Sequence, residues 1–445
     1  MASRMALRNA FVADKISGGK AARPTLERDP LEPGTTAPCI DGLADGFYEC
    51  SGVDLLGELT LVDQGSSASL GSDIWGWVDP LTSSEYAIMT FMDGTSIVDV
   101  TDPSNPTALF FLKTTQPVND HSYWRDVKVY NTTAYIVVDT VKDHGMQVFD
   151  LTRVRGASPE LVNAEADLVY TGFGEAHNIF VHEDTGFAYA VGGDRCLGGI
   201  YAMDVATDPL NPTFVGCWSV DEYVHDIQCV VYSGPDTEFT GREICFCFDE
   251  NSLAIIDITD KNVTGGNSEM TNVQLLSNVT YDFEYTHQGW VTDDHSILLL
   301  DDEGYEIKQF SATWQFDITS LRAPVLIGKT ETDIVTIDHN QYIKGGFTYQ
   351  SNYASGLRIK SIAPVYKGKP LKEVAYFDAF PGDTGEETTW DGVWSSYIYL
   401  PSGNLLVGSQ EYGLLVVREQ PREETSAPTS SPSRSPSAAP TSSPS

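Results

Sequence analysis

The chain has 445 residues, 63 of them acidic and 27 basic, giving a formal net charge of −36 and a pI near 4.3. Such a surface repels phosphate backbones, which excludes nucleic acid as a partner, and it disfavours docking on anionic lipid. No hydrophobic run is long enough to cross a bilayer as a helix, and the opening Met1-Ala-Ser-Arg-Met-Ala-Leu-Arg lacks the apolar centre of a secretory signal.

Residues 1–38 are rich in Pro, Arg and Gly, show no periodicity and are predicted to be disordered. A structured entry begins where Cys39 and Cys50 flank a short Gly-containing loop, followed by Val53-Asp-Leu-Leu-Gly-Glu-Leu-Thr-Leu-Val, which reads as a strand. The next stretch sets a pattern. Ile74-Trp-Gly-Trp-Val-Asp-Pro is a strand stopped by Pro80, and Glu85-Tyr-Ala-Ile-Met-Thr-Phe is a second, ended by the hairpin signal Asp93-Gly94. Thr95-Ser-Ile-Val-Asp-Val and Thr107-Ala-Leu-Phe-Phe-Leu-Lys are the third and fourth. Four antiparallel strands in sequence are the unit of a β-propeller.

The unit repeats. Its third strand returns as Met146-Gln-Val-Phe-Asp-Leu-Thr, Ile200-Tyr-Ala-Met-Asp-Val, Leu253-Ala-Ile-Ile-Asp-Ile-Thr, Thr313-Trp-Gln-Phe-Asp-Ile-Thr, Leu357-Arg-Ile-Lys-Ser-Ile and Leu414-Leu-Val-Val-Arg. The Asp that usually ends this strand suits a turn cap, its carboxylate accepting from N–H groups just downstream. First strands open at Ile74, Arg125, His177, His225, His287, His339 and Asp391, roughly every 50 residues, the period of propeller blades. The expectation is an all-β, seven-bladed propeller over residues 39–418. Its last blade lacks a fourth strand, which the early strand near Leu55 supplies, so that no edge is left open. From about Glu419 to Ser445 the chain turns Ser/Pro/Thr-rich and cannot pack a core; it reads as a disordered stalk.

Of seven cysteines, Cys39 with Cys50, Cys196 with Cys217 and Cys229 with Cys245 form local pairs that suggest disulfides and an oxidising compartment, leaving Cys247 buried. Sequons at Asn131, Asn262 and Asn278 fall near predicted turns and are compatible with glycosylation.

If the repeat frame holds, Arg125, His177, His225, His287, His339 and Asp391 take equivalent places around the central channel, with Ile74 completing the ring. Four imidazoles on consecutive blades are a candidate site for a divalent metal, zinc or calcium. Asp126, Asn178, Asp226, Gln288 and Asn340, each next in sequence, are placed to orient the rings. A hydrogen-bonded collar that holds the inner strands in register is the structural alternative. Arg125 with Asp126 reads as an ion pair at the channel rim, beside Asp226 and Asp391. His121, His144, His182 and His295 fall in loops or turns and are expected to be solvated, and Asp301-Asp-Glu-Gly-Tyr-Glu306 is expected to be an exposed acidic turn rather than a calcium loop. No Gly-x-Ser-x-Gly elbow, P-loop, HExxH or dinucleotide fingerprint occurs in the right setting.

Taken together, Trp75-Gly-Trp, Tyr123-Trp-Arg-Asp-Val-Lys-Val-Tyr, His144-Gly-Met-Gln-Val-Phe-Asp-Leu-Thr-Arg, Ala176-His-Asn, His225-Asp-Ile-Gln-Cys, Tyr285-Thr-His-Gln-Gly-Trp, Leu299-Leu-Asp-Asp-Glu and Asp338-His-Asn resemble the choice-of-anchor B family, with its LVIVD-type propeller repeats. The similarity runs from Cys39 to Arg418. It implies a propeller in an extracellular or cell-surface setting and brings no established activity. Two functional readings stand. One is a secreted or surface-tethered binding or scaffold module of unknown ligand, with an extracellular glycan or cell-wall component as the candidate partner. The other is a metal-dependent extracellular enzyme, a polysaccharide lyase or hydrolase, with the metal on the histidine ring.

Overall fold

The computed structural model describes residues 28–68, 70–118, 122–220, 223–263, 268–304, 310–382 and 389–422. The first meander lies where its pattern predicts. Gly71–Val78, Glu85–Phe91, Gly94–Asp99 and Thr107–Lys113 pair antiparallel in that order and form blade 1. Glu85–Phe91 is buried on both faces because a blade lies between two neighbours, so its middle strands have no solvent side.

Six further sheets follow, giving a seven-bladed, all-β propeller. Their innermost strands are Arg125–Tyr130 in blade 2, Asn178–His182 in blade 3, Asp226–Val231 in blade 4, Thr286–Val291 in blade 5, Asn340–Lys344 in blade 6 and Val393–Tyr397 in blade 7. Blade 7 is completed by Val53–Leu59, antiparallel to Gly413–Glu419, so the two ends of the described chain share one sheet. Leu414 and Val416 then pack with Ile74, Ala87 and Val98 across the seam between blades 7 and 1. Between blades 4 and 5, Phe246, Phe248, Leu298, Leu300 and Trp314 form a similar layer. Each such fully buried side chain is worth about 1.5–3 kcal/mol.

Two blades carry extra strands. Val162–Ala164 runs parallel to Thr107–Lys113 on the outside of blade 1, and Tyr48–Ser51 with Leu43–Ala44 extends blade 6. The third-strand aspartates cap turns as expected: Asp99, Asp150, Asp204, Asp257 and Asp317 each accept from an N–H two residues on.

The three expected disulfides, Cys39–Cys50, Cys196–Cys217 and Cys229–Cys245, are present, and Cys247 is free and buried. The expected N-terminal boundary moves. Residues 28–38 belong with the propeller: Arg28 pairs with Asp45 and Glu58, and Ala37 bridges to Leu55. Residues 1–27 and 423–445 lie outside the described residues. Asn131, Asn262 and Asn278 are exposed, but Asn278 sits within the outer strand Gln274–Val279 rather than at a turn. Among the described residues no helix is long and apolar enough to cross a membrane.

Candidate metal centre on the propeller axis

Hydrogen bonds between neighbouring blades define which residues are equivalent. Asp73 Oδ2 accepts from the Val127 N–H, Asp126 Oδ2 from Ile179 and Gln288 Oε1 from Gln341, at 2.8–3.2 Å. Asp73, Asp126, Asn178, Gln288 and Asn340 therefore share one level, and Ser72, Arg125, His177, His287 and His339 the level before it. Asp126 and Gln288 thus tie blade to blade and do not orient the imidazoles.

Two members of the expected ring are corrected. Ile74 is a core residue of the seam, and Ser72 takes its place, donating to the Tyr123 and Arg125 carbonyls. Asp391 is buried and accepts from Thr389 Oγ1; the axial position in blade 7 is held by Trp394, whose carbonyl receives His339 Nδ1 at 2.5 Å. Both misreadings have one cause. A bulge between Gly71 and Ile74, and another between Val393 and Ser395, break the count that a regular strand would keep.

The four histidines do converge. Successive ring centroids, His177 to His225 to His287 to His339, stand 4.2, 4.4 and 4.5 Å apart. Each ring is held at Nδ1. His225 donates to the His287 carbonyl (3.1 Å), His287 to the His339 carbonyl (2.8 Å), His339 to Trp394, and His177 to the Asp139 carboxylate (2.8 Å). A neutral imidazole with its proton on Nδ1 carries its lone pair on Nε2, the form that binds metals.

Glu303 joins this row. Its carboxylate oxygens lie 3.8 Å from His287 Nε2 and 3.7 Å from His339 Nε2, and it accepts from Tyr353 Oη at 2.8 Å. His287, Glu303 and His339 bring their ligand atoms within 4.8 Å of one another. Two donors on one tetrahedral zinc, each at about 2.0 Å, stand about 3.3 Å apart, so each carboxylate–imidazole pair would close by about half an ångström around an ion. Two imidazoles and one carboxylate suit a zinc-type ion better than calcium, which prefers oxygen alone. Glu303 overturns the expected exposed turn: Asp301, Asp302 and Glu303 are all buried, while Tyr305 and Glu306 lie outside the described residues. An acidic run by itself carries no sign that the fold will bury it.

The other expectations divide. Arg125 and Asp126 form no ion pair with each other. Lys128 takes the Asp126 carboxylate and also reaches Asp73 at 3.3 Å. Burial pushes the Asp226 carboxyl up to about 7. His144 and His182 are buried rather than solvated, His295 is half-buried, and His121 lies outside the described residues. Burial, helped by the Arg125 charge, depresses the His144 imidazole to about 3.

A narrow cavity of about 30 Å³ runs along the axis, lined by the four histidines, Arg125, Trp124 and Trp394, and deeper by Asp126, Asp226, Trp290 and Tyr342. That is room for one or two waters, or for an ion and a water. A metal there would act as a Lewis acid or lower the pKa of a bound water. Burial raises the nearby Tyr285 phenol far above its usual value, so Tyr285, which donates to Glu250 at 2.9 Å, stays a proton donor.

No family model matches the chain, and no curated protein matches it. Solved structures do. Kuenenia stuttgartiensis hydrazine synthase superposes with a TM-score of 0.52 at 12% identity, over 80% of this chain and 98% of that one. The C-terminal WD40 domain of Sif2 is similar at a TM-score of 0.46 and 10% identity, over 80% and 99% of the two chains. The β-propeller domain of Myceliophteria thermophila Cps50 (Swd1) reaches 0.47 at 12% identity, over 80% and 98%. At such identities the likeness concerns the fold alone.

Proposed function

We propose that this protein is an extracellular, disulfide-braced propeller that holds a zinc-type metal at its axis and uses the metal-bearing mouth to bind an extracellular ligand. One observation carries the reading. All four axial imidazoles donate through Nδ1, so in the neutral form their lone pairs sit on Nε2, and two of those atoms stand beside the Glu303 carboxylate. A collar that only held strands together would not need a buried carboxylate there. The three disulfides and the resemblance to the choice-of-anchor B family support the compartment.

Elemental analysis of the native protein, with zinc titration of the metal-free form, tests the centre. One bound ion is expected, with loss of binding in the His225→Ala, His287→Ala double variant. Native protein without metal, or unchanged affinity in that variant, sinks the reading. An extracellular glycan lyase or hydrolase is the second reading. It is favoured by the three-residue set, which leaves a coordination position open as catalytic zinc sites do. Metal-dependent cleavage of an acidic or neutral polysaccharide would establish it; metal-dependent binding without turnover would leave the binding module.

A further inference from the structure

We propose that the seam between blades 5 and 6 is the joint at which this ring opens, and that a metal at its axial end fastens it. The second half rests on the metal reading above; the first stands on the seam itself.

Alternation along the strands sets the seam apart. In blade 5, Leu298 and Leu300 on one strand and Trp314 and Phe316 on the next join the apolar layer shared with blade 4. The residues between them face blade 6, and there the row turns polar: Asp301, Thr313 and Gln315 are all buried. Blade 6 does the same. Tyr342, Tyr349 and Ile359 pack with Leu405 and Val407 of blade 7. Gln341, Gln350 and Lys360, each beside one of them in its strand, are buried toward blade 5. The seam keeps a small apolar patch from Ile297, Leu299, Ile343 and Leu371. Each of the other six seams is filled by a larger apolar layer.

Hydrogen bonds carry this joint instead. Gln350 Nε2 donates to Thr313 Oγ1 (2.7 Å), the Leu371 N–H to Thr330 Oγ1 (2.7 Å), Tyr353 Oη to Glu303 (2.8 Å), and Ser311 Oγ to Asp338. They do not use up its polar atoms. Both Asp301 carboxylate oxygens, Asp338 Oδ2, Gln341 Nε2, Gln350 Oε1 and Lys360 Nζ are buried with no hydrogen-bond partner among the described residues. A buried polar group left unpaired regains its hydration when the joint opens, whereas parting an apolar layer exposes it to water at a cost. The least costly local opening of the ring is therefore here. It is not between blades 7 and 1, although the two ends of the described chain meet in blade 7.

The candidate metal site spans this joint. His287 and Glu303 belong to blade 5, whereas His339 directly precedes the innermost strand of blade 6. Opening parts these ligands, so an ion that needs all three binds the closed ring alone and holds it shut. The competing account is that waters trapped in the seam pair every free atom and make it as tight as the rest.

Hydrogen–deuterium exchange of the full chain, with and without zinc, decides between them. Without zinc, the amides of Ile297–Asp302 and Phe347–Ser351 are expected to exchange at least about tenfold faster, after correction for intrinsic rates, than those of Glu243–Phe248 in blade 4 and Glu85–Phe91 in blade 1, the equivalent of one unpaired buried polar group. With free zinc at about 100 times its dissociation constant they are expected to slow by about 100-fold, the factor by which a ligand of the closed form alone suppresses opening. Equal protection in all these strands, or fastest exchange in Asn404–Ser409 and Glu85–Phe91 beside the seam of blades 7 and 1, overturns the joint and leaves the trapped waters. Zinc that binds without slowing exchange overturns the fastening. Zinc that does not bind removes the metal reading and the fastening with it, while the zinc-free pattern still judges the joint. Asp301→Asn, which takes a buried charge out of the seam without changing its shape, is expected to slow zinc-free exchange of the same strands; an unchanged or faster rate overturns the joint. If that variant does not fold, the wild-type comparison decides.

Discussion

The seven axial positions fall into two arcs. Blades 3 to 6 place a histidine at the head of the innermost strand, whereas blades 7, 1 and 2 place Trp394, Ser72 and Arg125 there. The histidine arc also carries two disulfides, Cys196–Cys217 in blade 3 and Cys229–Cys245 in blade 4, the second joining residues directly opposite one another on paired strands. The other arc is held differently. It contains the seam, where a strand from the start of the chain completes the last blade, and the charged ladder of Asp73, Lys128 and Asp126. Blades of one architecture thus do two things: one arc gathers imidazoles at the axis, and the other closes the ring.

The sharpest way to break this comparison is to remove ligands from one arc and bulk from the other. The His287→Ala, His339→Ala double variant should lower zinc affinity by at least about 100-fold, because second-sphere losses alone cost 10–100-fold. Trp394→Phe should change it far less, since the Trp394 carbonyl that holds His339 Nδ1 is main-chain and a phenyl ring keeps an aromatic side chain beside the imidazole. Parallel zinc titrations of the two variants check this, and equal losses would dissolve the distinction. Replacing Cys229 and Cys245 by serine should cost about 3 kcal/mol of stability, the expectation for a closed loop of this size. Denaturant unfolding measures it. Tyr353→Phe removes the phenol that holds Glu303 and should weaken zinc binding by about 10-fold while leaving the fold intact.

The smallest effect belongs to the arginine arc. His144 is held neutral by burial, with its imidazole depressed to about 3 against an ordinary value of about 6.5. Between those values the unfolded chain binds the proton and the folded chain does not, so stability falls as pH drops below about 6.5. His144→Gln should therefore reduce the loss of stability between pH 6 and pH 5 by about 1 kcal/mol, read from urea midpoints at the two pH values.

The repeat was legible because each blade must bury both faces of its middle strands, and that writes apolar runs separated by turn residues into the chain. The closing strand could be assigned from arithmetic, since the last unit lacked one strand and the first had one to spare. The four histidines could be found because they head successive repeats. Glu303 could not, because it reaches the axis from the end of a second strand, outside the repeat position that marks the others.

What the amino-acid order determined by itself was therefore periodic: strand spacing, seven blades, the cysteine pairs and the histidine row. What only the tertiary structure decided was local and aperiodic. Bulges at Gly71–Ile74 and Val393–Ser395 exchange Ile74 for Ser72 and Asp391 for Trp394 at the axis. Lys128 takes Asp126 away from Arg125, whose guanidinium instead donates to Ser122, Met92 and Thr114. Periodicity survives in sequence because it is repeated. A bulge or a choice of ion-pair partner occurs once, and is settled by which neighbours the closed ring brings within reach.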